Sequence, residues 1–113
     1  MDKYIEDRPW GKFDQFCLNE PVTVKYLYLN PNERLSYQYH DTRTEFWKVV
    51  KGSGQVVLND KILSAKVDDE FDISQGTKHR LIAYDDGIIV LEISFGHFDE
   101  NDNHRVEDKY GRV

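Results

Sequence analysis

Four residues of this 113-residue chain have side chains able to share one metal ion: Gln38, His40, Glu45 and His79. Gln38 and His40 stand two apart in SYQYHDTRTEFW (36–47), and residues two apart on a strand project to the same face. A strand buried on one face should hide apolar residues, yet the face carrying Ser36, Gln38 and His40 is polar. Asp41-Thr42-Arg43-Thr44 can turn the chain, so that Glu45 opens a returning strand and brings a carboxylate to the same neighbourhood. His79 follows a glycine turn in SQGTKHRL, at the start of another expected strand. An amide oxygen, two imidazoles and a carboxylate make a mixed nitrogen and oxygen ligand set. Such a set suits a divalent metal, with zinc foremost and manganese, iron, cobalt or nickel open. Singly, each residue has a plainer reading as a hydrogen-bonded strand residue. It is their coincidence that points to chemistry.

Strands must position these groups. No long segment places apolar residues at i, i+3, i+4 and i+7, whereas alternating or β-branched runs recur between turn residues. The expected strands cover 22–29, 34–40, 44–52, 54–59, 61–65, 70–74, 79–84 and 87–95. Asn59-Asp60 and Asp85-Asp86-Gly87 read as tight turns, and Asn30-Pro31-Asn32 and Ser74-Gln75-Gly76 as loops. That pattern predicts an all-β fold, either a closed barrel or a double antiparallel sheet. Residues 96–113 are polar and charged and read as a solvated tail, although their aromatics and arginines allow packing over a barrel mouth.

Composition narrows the function. The chain is 39% hydrophobic and 13% aromatic, as expected of one folded domain spanning residues 1–113. Its formal net charge of −6 argues against nucleic acid as a partner, because phosphate backbones demand a basic stripe. A small phosphorylated molecule remains compatible with a few local arginines. Cys17 is the single cysteine, so no intrachain disulfide or thiolate cluster can form, and it reads as a small hydrophobe. No apolar run resembles a signal peptide or reaches membrane-spanning length, so a cytoplasmic location and no membrane partner are expected.

The spacing of the four residues resembles the cupin superfamily. Its first motif has a glycine, five residues, His-x-His, three or four residues, Glu, six residues and a glycine. Here Gln38 takes the first histidine position, His40 and Glu45 follow, Gly52 closes the motif, and Asn32 replaces the leading glycine. In the second motif Gly76-Thr77-Lys78-His79 is retained, with Asp68, Ser74 and Ala83 at the usual Gly, Pro and Asn positions. RPWGKF (8–13), ERLSYQYHDTRTEFWKVVKGSG (33–54), GTKHRL (76–81) and VEDKYGR (106–112) are similar to the type II mannose-6-phosphate isomerase domain. In bacteria that domain commonly follows a mannose-1-phosphate guanylyltransferase domain; these 113 residues hold no room or glycine-rich loop for one, so guanylyl transfer is not expected of them. The departures are Asp41, Thr42 and Phe46, where the family usually has histidines.

The resemblance implies a cupin double-stranded β-helix, or jelly-roll barrel, with a core over about 22–95 and the terminal segments packed around it. It implies one divalent metal held by Gln38, His40, Glu45 and His79, and interconversion of mannose 6-phosphate and fructose 6-phosphate through an enediolate. Ser36 and Arg43 are the implied phosphate-binding residues, because each lies two positions before a ligand on the same face. Arg8 and Arg112 sit in the family-like end motifs, where either could stabilise the enediolate or bind phosphate. A homodimer is implied as well. The alternative is a non-catalytic metal- or sugar-binding cupin that accompanies nucleotide-sugar enzymes. A cupin dioxygenase is a third reading.

Overall fold

Nine β-strands and no helix make up residues 1–108, the part of the chain that the computed structural model describes. They are β1 (Tyr4–Arg8), β2 (Gly11–Gln15), β3 (Val22–Leu29), β4 (Tyr37–Tyr39), β5 (Arg43–Leu58), β6 (Lys61–Lys66), β7 (Glu70–Ile73), β8 (His79–Gly96) and β9 (His104–Glu107). Every pairing among them is antiparallel. The alternating pattern of the sequence is therefore expressed as sheet throughout.

Two long strands organise the molecule. The first half of β5 lies between β7 and the second half of β8, which in turn pairs with β3. The second half of β5 lies between β6 and the first half of β8. Beyond that half of β8, β4 and then β9 continue the sheet. The runs 44–52 and 54–59 thus form one strand, and so do 79–84 and 87–95. The expected break at Asp85-Asp86-Gly87 is a bend that stays within β8.

Close approach of backbone explains why these strands bend without ending. The β5–β8 register shifts between Val49 and Lys51 and again between Gly52 and Gly54. A Cβ on Gly54 would lie 1.9 Å from the Ile82 carbonyl oxygen, and one on Gly52 would lie 2.1 Å from that of Gly87. Only residues without a side chain fit where the two strands cross so tightly.

Turn chemistry elsewhere follows the sequence. Asn59 and Asp60 both take positive φ, 45° and 68°, as a two-residue hairpin turn between β5 and β6 requires. Asn32 and Asp68, which replace two motif glycines, have φ of 63° and 76°. Asparagine and aspartate tolerate this left-handed region better than other side chains, so the turns survive the loss of glycine.

The core forms where inward residues of β5 and β8 meet. Trp47, Val49, Val56, Leu81, Ala83, Ile88 and Val90 are buried together, with Ala65 and Ile73 from β6 and β7. The ends differ from expectation. Residues 4–15 form the β1–β2 hairpin, and β9 lies within the stretch read as a tail. Arg80 holds β9 in place, donating to the Leu35 carbonyl at 2.8 Å and to the Glu107 carboxylate at 3.1 Å.

The crossing at Gly54 yields a direct test. Gly54→Ala forces a methyl group into the Ile82 carbonyl and is expected to destabilise the fold by about 3 kcal/mol or more. Urea denaturation checks this, and an unchanged midpoint would mean the strands do not cross so closely.

Candidate metal centre

Three titratable side chains converge at one end of the inward faces of β5 and β8. His40 immediately follows β4, Glu45 is the third residue of β5, and His79 opens β8. Along β5 the inward residues are Arg43, Glu45, Trp47 and Val49, each buried. The loop before His79 is tied to His40 directly, since the Gly76 amide donates to the His40 carbonyl at 2.8 Å. Gln38 pairs across strands with His79, which places their side chains on the same face.

Hydrogen bonding fixes the orientation of both imidazoles. His40 Nδ1 lies 2.8 Å from the Asp102 carbonyl oxygen, and His79 Nδ1 lies 2.8 Å from that of Thr77. A carbonyl can only accept, so each Nδ1 carries a hydrogen, and a ring with no second proton presents an Nε2 lone pair. Both Nε2 atoms lie near one oxygen: Glu45 Oε1 is 3.4 Å from His40 Nε2 and 3.2 Å from His79 Nε2. The rings meet edge to face, with centroids 4.8 Å apart, and His79 also lies edge-on to Trp47.

This arrangement leaves an electrostatic deficit. His40, Glu45 and His79 are 3%, 4% and 1% exposed, so water does not solvate them. Glu45 Oε1 and His79 Nε2 are buried without a hydrogen-bond partner among the described residues. Burial raises the Glu45 carboxyl, but hydrogen bonds and positive charge from the His40 and His79 rings, when Nε2 carries a proton, outweigh it and hold Glu45 well below the usual carboxylate range. Glu45 Oε1 and His79 Nε2, lone-pair atoms 3.2 Å apart, require a proton or a cation between them, while His40 Nε2 has Arg43 Nη2 at 3.3 Å. One divalent ion accepts all three, and two imidazoles with a carboxylate match the donor set of many zinc and iron sites. The three residues fit a metal ion on chemical grounds, and their ligand atoms lie within 4.8 Å of one another.

The remaining expected site residues fall into two groups. Ser36 is buried and its hydroxyl donates to Gln38 Oε1 at 3.1 Å. Arg43 is 4% exposed, with Nε 3.4 Å from Glu45 Oε2 and Nη2 3.3 Å from His40 Nε2. Its guanidinium also donates to the Asp99 carbonyl and to Asn103, and it lies over the Phe98 ring. Arg8 lies on the β1–β2 hairpin, where its described contacts are with Glu6 and Phe13. Arg112 falls outside the described residues.

The three departures from the family pattern have structural explanations. Phe46 faces away from Glu45 and packs on Phe16 with ring centroids 5.4 Å apart. Thr42 gives its hydroxyl to Asp102 at 2.7 Å, and Asp41 lies 2.9 Å from His104 Nε2.

Two polar residues of β8 escaped the sequence reading. Ser94 donates to Glu45 Oε2 at 3.2 Å, and Glu92 accepts from Trp47 Nε1 at 3.0 Å. Both continue the inward row that begins with Ile88 and Val90. Their signal was present in GIIVLEISF, where polar residues interrupt one face of an apolar run. Burial first, and the nearby charge of Glu45 second, push the Glu92 carboxyl up to about 7.

The seven-stranded antiparallel sheet, in which β5 and β8 each pair with different partners along their two halves, has the fold of a cupin-type barrel. The sequence profile described as "Mannose-6-phosphate isomerase C-terminal" matches residues 3–108, and the chain belongs to that family. It is 38% identical over 110 residues to the alginate biosynthesis protein AlgA of Pseudomonas aeruginosa, covering 94% of this chain and 22% of that protein. It is 36% identical over 110 residues to the mannose-1-phosphate guanylyltransferase ManC of Salmonella typhimurium, with the same 94% and 22% coverage. The chain therefore spans about a fifth of the length of these relatives. Among solved structures, a single-substitution variant of oxalate decarboxylase from Bacillus subtilis superposes with a TM-score of 0.71 at 22% identity, over 84% of this chain and 26% of that one. No helix among the described residues is long and apolar enough to cross a membrane.

Glu92 provides a pH test on metal-free protein. Its carboxyl ionises at about 7 when folded and at an ordinary value of about 4.3 when unfolded, so folding is progressively penalised as pH rises between those values. Glu92→Gln is expected to be more stable than wild type by about 1–3 kcal/mol at pH 8, with the gap closing below about pH 5. Urea titrations across that range check it; a constant offset would contradict the raised value.

Proposed function

We propose that this domain is a metal-dependent aldose–ketose isomerase that interconverts mannose 6-phosphate and fructose 6-phosphate. The observation that carries the reading is the buried group of His40 Nε2, His79 Nε2 and Glu45 Oε1, in a chain of the mannose-6-phosphate isomerase C-terminal family. His40, Glu45 and His79 would hold the ion, with Gln38 beside them. When bound, a divalent metal supplies Lewis-acid polarisation of a carbonyl. No atom enters or leaves overall, but a base must take the C2 proton and return one at C1. A proton leaves C2 of the open-chain aldose, its electron pair forms the enediolate double bond, a proton returns at C1, and the O2 hydroxyl proton is transferred toward O1.

The chain's own side chains supply binding and shielding. Ser36 and Arg43 are the candidate phosphate contacts, a hydroxyl and a guanidinium on the same face as the ligands. Arg43 would exchange its present bonds to Asp99 and Asn103 for phosphate oxygens. The burial of the centre suits enediolate chemistry, because excluded water cannot protonate the intermediate at the wrong carbon.

One observation favours a second reading. Arg43 Nη2 already occupies space 3.3 Å from His40 Nε2, as it would in a binding module with no turnover. On that reading the domain is a non-catalytic metal- or sugar-binding cupin accompanying nucleotide-sugar enzymes, the setting suggested by ManC and AlgA.

A coupled assay of zinc- or manganese-loaded protein with mannose 6-phosphate separates the two. Turnover is expected in wild type, with a loss of at least about 100-fold in His79→Ala, which removes a ligand while leaving the strands intact. Loaded but inert wild-type protein would establish the binding module instead.

A further inference from the structure

We infer that Asp102 is a positioning residue for this centre, stapling the segment that carries His40 so that its Nε2 lone pair faces Glu45. The inference rests on the reading of His40 as a metal ligand. Asp102 lies between β8 and β9, some sixty residues from His40 in sequence, and its side chain is 9% exposed.

One residue makes two kinds of contact with three consecutive positions. Its main-chain oxygen accepts from His40 Nδ1 at 2.8 Å. Its carboxylate accepts from the Asp41 amide at 2.9 Å, the Thr42 amide at 2.9 Å and the Thr42 hydroxyl at 2.7 Å. His104 Nε2 adds contacts of 3.3 Å to Asp102 and 2.9 Å to Asp41, with its ring stacked on Tyr39. A carboxylate that takes two amides and a hydroxyl closes the turn at 41–42 and fixes the position of residue 102 itself. The carbonyl of residue 102 is then held where His40 needs it.

The two imidazoles differ in how they are oriented. His79 is fixed locally, by the Thr77 carbonyl two residues earlier. His40 depends on a carbonyl supplied from another part of the chain, with Arg43 Nη2 3.3 Å from its other ring nitrogen, so its ring angle rests on the staple and Arg43 together. Carbonyl and carboxylate partners of ligating histidines commonly contribute about 10–100-fold to metal affinity. The carboxylate of Asp102 acts one bond further back, through the backbone it secures.

The test compares wild type with Asp102→Ala, Asp102→Asn and Thr42→Ala. Imidazole nitrogen NMR of metal-free protein reads the tautomers, and competition with a chelator reads zinc affinity. Asp102→Ala is expected to shift the His40 nitrogens toward a mixture of tautomers while those of His79 stay put, and to weaken zinc binding roughly 10- to 100-fold. Asp102→Asn keeps one acceptor oxygen and is expected to restore part of both. Thr42→Ala deletes only the hydroxyl bond, gives the smaller change of the same kind, and carries the comparison if Asp102→Ala does not fold. Equal shifts at both histidines, or wild-type zinc affinity with an unchanged His40, would overturn the inference. A His40-selective shift in protein whose wild type binds no zinc would uphold the staple and overturn the ligand assignment.

Discussion

A carboxylate taken out of water governs this structure. Glu45 is 4% exposed, and an ionised carboxylate at that depth must be compensated by charge or by hydrogen bonds. One oxygen is served by Ser94, with Arg43 nearby. The other faces two imidazole nitrogens that present lone pairs, an arrangement that repels unless a proton or metal lies between. Much of the fold can be understood as the scaffold that keeps those three atoms together. β5 carries Glu45 inward, β8 begins on His79, and the Gly76 amide ties the loop before β8 to His40.

The middle of the same strands holds this end in place. β5 and β8 keep pairing through their bends because Gly52 and Gly54 let the backbones almost touch. Each strand therefore belongs to both halves of the sheet, and the aliphatic core around Val49, Val56, Leu81 and Val90 holds the polar end in register. A one-residue slip would send Glu45 outward and Phe46 inward, so burial of Trp47 and Val49 specifies the centre as well as the core.

The placement of the candidate ligands was legible in sequence because they lie on strands or at their starts, where spacing converts directly into direction. Gln38 and His40 two apart, and Arg43 and Glu45 two apart, share faces as period-2 geometry requires. The glycine replacements Asn32 and Asp68 were readable for the same local reason, since these residues tolerate positive φ. Long-range dependencies were not legible. Asp102 sits in a polar stretch whose composition matches a solvated tail, and only tertiary contact reveals that it addresses His40–Thr42. The merging of four expected strands into β5 and β8 was hidden likewise, because glycine and aspartate mark a bend within a strand as readily as a turn between two. Glu92 shows a middle case: its interruption of an apolar run was visible, but its burial beside Trp47 and Glu45 was not.

The central claim is that Glu45 is neutralised by a divalent ion shared with His40 and His79. Anomalous diffraction at the zinc edge, from crystals grown with zinc, tests it most directly. A single strong peak within roughly 2.0–2.2 Å of His40 Nε2, His79 Nε2 and a Glu45 oxygen is the predicted result. An empty centre, with zinc found only at the group formed by Asp41, Asp102 and His104, would contradict it.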